Sequence, residues 1–110
     1  MDIQPKFEAD LTVKSFAYAA GQLARSQASL APSAQYERIL NEAEKHRSAL
    51  RLVLRDAFEM AEQAVRKHTL TKAECHQLRE STAQTIEQAQ QAITRIAAQY
   101  APYAPHRLAA

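Results

Sequence analysis

The stretch from Ser33 to His68 contains neither Gly nor Pro, and its apolar residues recur at helical spacing. Tyr36, Leu40, Ala43, Leu50, Leu54, Ala57, Ala61 and Ala64 follow steps of four and three around one missing slot. Ile39, Val53 and Met60 form a second row beside them, so the apolar arc is wide enough for two neighbours. The pattern predicts one continuous helix on the order of 50 Å long. Every other segment is short enough to pack along that rod. A chain of 110 residues has room for one domain with a modest core. Much of its hydrophobic content is alanine, which contributes little when burial stabilises by roughly 25 cal/mol per Å². Self-association is the expected remedy, with a homodimer covering Ile39, Val53 and Met60 and, as a further candidate surface, the strip of Phe7, Leu11 and Tyr18.

The segments on either side read as helices too. After a lead over 1–5 that Pro5 closes, Val13, Phe16, Ala20, Leu23, Ala24, Gln27, Leu30 and Ala31 make one small, alanine-rich stripe, suited to close helix contact. Gly21 interrupts this helix at a cost of roughly 1 kcal/mol relative to alanine, which a near approach by another backbone would explain. Phe7, Leu11 and Tyr18 fall on the opposite side and predict an exposed contact strip. The alternative is a helix that begins near Asp10 or Leu11, with Phe7 folded back on the bundle end.

Two breaks set the topology. Pro32 disfavours helical geometry at Ala31, and Ser33 is positioned to cap the next helix. Farther on, Thr71-x-x-Glu74 matches a capping box, with Leu70 and Cys75 placed as a hydrophobic staple. Connections this short force neighbouring helices to run antiparallel. The third helix carries Leu78, Thr82, Ile86, Ala89, Ile93, Ile96 and Tyr100 on one seam and Glu80, Glu87, Gln91 and Arg95 opposite. Pro102 and Pro105 then end it. The fold expected is all-α: an elongated antiparallel three-helix bundle over about 6–30, 33–68 and 71–100. It makes a single domain over 1–100, followed by a flexible, extended Pro/Tyr tail over 101–110.

Candidate chemistry is sparse. His68, Glu74, Cys75 and His76 gather at the second break, beside Arg66, Lys67 and Lys72. Zinc takes about four such ligands in a tetrahedron. Here Cys75 belongs to the seam, His76 points about 100° away from it, and His68 falls on the buried side of the middle helix. A capped basic junction is the simpler reading. His68 to Lys72 is similar to part of the histidine phosphotransfer motif, but those domains carry the histidine mid-helix with a glycine shortly after. Toxin-type helical ribonucleases place an arginine five residues before a histidine, a spacing this chain lacks. Glu59 and Glu62 have no Glu-x-x-His partner of the kind di-iron bundles use, and His46 with Glu42 is a single pair. One glycine excludes a phosphate-cradling loop. The terminal Leu108-Ala109-Ala110 resembles the end of a bacterial degradation tag, which would imply a short-lived regulator; a plain tail of common residues is the simpler reading.

Arg47, Arg51 and Arg55 stack at a spacing of four along one flank of the middle helix, where like charges repel by a few tenths of a kcal/mol per pair. Glu44 and Glu59 are placed to offset them. Leu52 points away from the apolar arc. The net charge of +2 is too small to mark a nucleic-acid or membrane protein. A lone cysteine fits a reducing compartment, no apolar run approaches the roughly 20 residues of a membrane span, and the first residues do not form a signal peptide. These features predict a cytoplasmic, non-catalytic protein–protein interaction module without a cofactor or metal. Its expected partner-binding residues are Phe7, Leu11, Tyr18, Arg47, Arg51, Leu52 and Arg55. The alternatives are a dimeric nucleic-acid-binding regulator using the three arginines, and a metal or phosphoryl site at the hairpin tip.

Overall fold

The long middle helix forms as one rod. In the computed structural model, which describes residues 4–27 and 29–102, it is α2, Pro32–Arg66, packed against α1, Pro5–Ser26, and α3, Lys72–Ala98. Each helix touches both others, giving an all-α bundle of 57 × 31 × 15 Å. The lead at 1–3 and the tail at 103–110, with its Leu-Ala-Ala end, lie outside the described residues.

Phe16 from α1, Ile39 and Leu50 from α2 and Ile93 from α3 are the large, fully buried side chains. Ala9, Ala20, Ala43, Ala89 and Ala97 fill the space between them, and of the α1 stripe Phe16 and Ala20 are the members fully buried. On α2 the buried set is Ile39, Ala43, Leu50, Ala57 and Ala61, which lies between the two rows read from the sequence. Ile39 is fully enclosed and Val53 packs on the core. Two of the three residues expected to need a second copy are therefore covered within one chain; only Met60, 38% exposed, is left. The reason is geometric: α1 and α3 pack on adjacent sides of α2 and together cover its broad arc.

The junctions differ from expectation in detail. α1 stops at Ser26, not near residue 30, so Leu30 and Ala31 leave its stripe. The N-cap of α2 is Ala31, with φ −57° and ψ 144°, the extended geometry that a following proline imposes. Pro32 takes the first helical position, where its missing N–H costs nothing, and Ser33 does not cap. Gln35 does the tying instead, its Nε2 donating to the Ala24 and Gln27 carbonyls at 3.3 and 2.9 Å.

At the other break the capping box is present. The Glu74 amide donates to Thr71 Oγ1 at 3.0 Å, and the Thr71 amide donates to Glu74 Oε1 at 2.9 Å. α2 ends at Arg66, two residues earlier than expected, because His68 turns left-handed with φ 63°. The His68 amide then donates to Val65 O at 3.0 Å and the Thr69 amide to Ala64 O at 2.9 Å, the paired bonds of a Schellman end. His68 is consequently exposed and not on the buried side. α3 stops at Ala98 and is followed by two tight turns, the Tyr100 amide on Ala97 O and the Ala101 amide on Ala98 O.

Pro5 lines the same groove as Ala57, Met60, Ala61, Leu78 and Thr82. α1 therefore begins at that level, and the last turns of α2 and first turns of α3 project beyond it as a two-helix hairpin. This is why Leu78, on the predicted seam of α3, is 45% exposed: of α1 only the first residue, Pro5, borders its groove.

Candidate functional site

α1 is helical from Pro5 onward, so Phe7 does not fold back. Its core side carries Ala9, Phe16 and Ala20, while Phe7, Leu11 and Tyr18 stand on the far side, 60, 50 and 67% exposed. Gly21 lies near the same outer face. A Cβ added there would meet nothing but the Arg25 side chain, with Nη1 at 3.4 Å. The close backbone approach expected at this glycine is absent among the described residues.

The missing slot of α2 is filled by polar residues on both sides. Arg47 turns toward α3, where its Nη2 donates to Thr94 Oγ1 at 2.8 Å. His46 turns toward α1. Its Nδ1 donates to the Glu42 carbonyl at 2.8 Å, its Nε2 meets Ser15 Oγ at 3.3 Å, and its ring lies 5.6 Å from that of Phe16. Since a carbonyl only accepts, the proton sits on Nδ1, and in the neutral ring Nε2 accepts from the serine. His46 thus orients α1 against α2. The period of the pattern concealed this, because His46 and Arg47 each read as an interruption.

The arginine flank is locally neutralised. Glu44 accepts from Arg51 at 2.7 Å and lies 3.9 Å from Arg47, while Arg55 pairs with Asp56 at 3.1 Å. Asp56, not Glu59, is therefore the offsetting acid at the third arginine. The Arg51 hydrogen bond holds the Glu44 carboxyl below its usual pKa; desolvation opposes it, and the positive charges of Arg51 and then Arg47 add to the lowering. Solvent screens exposed pairs like these, so they add little stability, but they leave little uncompensated charge for a phosphate. Leu52, 51% exposed, stands apart from Phe7, Leu11 and Tyr18, on another helix.

At the hairpin tip Cys75 is buried, His76 pairs with Glu80 at 3.3 Å, and Glu74 is engaged in the capping box. Among the described residues no group of three or more His, Cys, Asp or Glu side chains is placed to hold a metal ion. Arg79 bridges the two helices, bonding Glu62 at 3.2 Å and lying 4.6 Å over the Phe58 ring. The groove of about 290 Å³ on the α1 side of the hairpin, lined by Met60, Ala64, Leu70 and Leu78, was not anticipated. The signal was present in the unequal helix lengths, but only the third helix's true neighbours show which residues are left bare.

No protein-family model, curated protein or solved structure matches the chain. No helix among the described residues is long and apolar enough to cross a membrane.

Proposed function

We propose that this chain is a cytoplasmic, non-catalytic protein–protein interaction module whose main binding surface is the outer face of α1. The observation that supports it is the exposure of Phe7, Leu11 and Tyr18 on a bundle whose core is already closed. Exposed aromatic side chains aligned on one helix face are costly in water and are the anchors that helix-mediated recognition uses. The hairpin-end groove around Met60 and Leu78 offers a second apolar surface, and Leu52 a smaller one. The nucleic-acid alternative draws on Arg47, Arg51 and Arg55, and their pairing with Glu44 and Asp56 weakens its support.

Affinity capture from the native host tests the reading, comparing the wild-type chain with a Leu11→Glu/Tyr18→Glu variant. A protein partner retained by the first and lost by the second is the expected result. Failure to retain any protein, together with a monomeric solution state, would overturn it.

A further inference from the structure

Gly21 has no explanation inside its own chain. Its φ is not positive, and the space above it holds only the flexible end of Arg25, yet a mid-helix glycine is unfavourable. It belongs to a row, Phe7, Leu11, Lys14, Tyr18, Gly21 and Arg25, spaced in alternating steps of four and three along the outer face. The row runs about 27 Å, and its notch at Gly21 lies under the Arg25 guanidinium, which bonds Gln22 and swings aside for a partner side chain to enter.

We propose that α1 packs antiparallel against α1 of a second copy, about a twofold axis beside Lys14, with Phe7 of each chain seated over Gly21 of the other. This rests on the interaction reading above and names the partner at that face. The register sets Leu11 opposite Tyr18, and symmetry repeats both contacts. Like flanks meet in an antiparallel pair, so Lys14 of each copy reaches Asp10 of the other, one turn along. Both groups border the α1–α3 groove with Thr85 and Gln88, and among the described residues Lys14 has no ion pair while Asp10 pairs with Lys6 alone, at 3.4 Å on an exposed surface. A parallel pair would instead stack Phe7 on Phe7 and set the two glycines opposite each other, with no large side chain from the partner over either. The three apolar anchors are 50 to 67% exposed, and an aromatic side chain offers about 150–250 Å² in all. Their area falls well short of the roughly 800 Å² per partner of a standard interface, so the dimer is weak and concentration-dependent.

Sedimentation equilibrium of the full chain, from low to several hundred micromolar, tests this with a thermal melt of each variant at the lowest concentration. A reversible dimer is expected. Gly21→Gln raises the melting temperature of the monomer, because the helix gains propensity, yet weakens the dimer on the order of tenfold or more. Lys14→Glu also weakens it, and adding Asp10→Lys restores it. A wild-type monomer at every concentration overturns the pairing, as does a dimer indifferent to Gly21→Gln. Either result leaves the interaction reading to the capture experiment, which scores a different polypeptide.

Discussion

A histidine with φ 63° holds the α2–α3 turn in a conformation that L residues adopt at a cost of about 1–2 kcal/mol. Its side chain is exposed, so nothing in the core opposes its removal. His68→Gly is expected to stabilise the chain by about 0.5–1 kcal/mol once the glycine's larger unfolded-state entropy is subtracted, read as a higher denaturation midpoint at an unchanged m-value. Glu44 makes the complementary electrostatic case. Its folded pKa is depressed, so its contribution is present above the unfolded value of about 4.3 and is lost as pH falls through the folded one. Glu44→Gln is expected to flatten the acid limb of the stability profile while leaving the curve near neutrality almost parallel to wild type, as urea titrations across pH will show. Both features are short-range, but only one was legible in the sequence. The spacing of Glu44 places it beside the arginines, whereas no residue type announces a left-handed His68.

At the level of the helices, α3 is started by its capping box, and Thr71→Ala removes the acceptor for the Glu74 amide. The expected loss is about 1 kcal/mol, and hydrogen exchange should show it at the tip hairpin before the bundle centre, since no third helix covers that end. This box was readable because it depends on residue types at one fixed spacing. The start of α2 was not, since both Pro32 and Ser33 carry N-terminal signals and the proline's fixed φ won. The seam of α2 was also only partly legible. Leu40 and Met60 fit the helical period but are each 38% exposed, because the directions of α1 and α3 around α2 depend on packing that no single helix encodes.

For the molecule as a whole, the unbroken rod is present, but its flanks are better satisfied than its composition suggested. Ile39 and Leu50 are fully buried in one core with Phe16 and Ile93, and Leu50→Ala is expected to cost about 2–5 kcal/mol in a single cooperative transition, measured by urea denaturation. The three-helix architecture followed from the long glycine-free stretch and its two breaks. What the sequence could not show was which apolar residues remain bare once the helices meet, and this is the property on which the functional reading stands. It is tested most directly in the native host by placing a photo-reactive amino acid at Tyr18, with an identical probe at Glu87 on the polar face of α3 as the control. Defined protein adducts, to another chain of this protein or to a different one, are expected from position 18 and not from position 87. Equal labelling from both positions, or no adduct at 18, would contradict the functional reading.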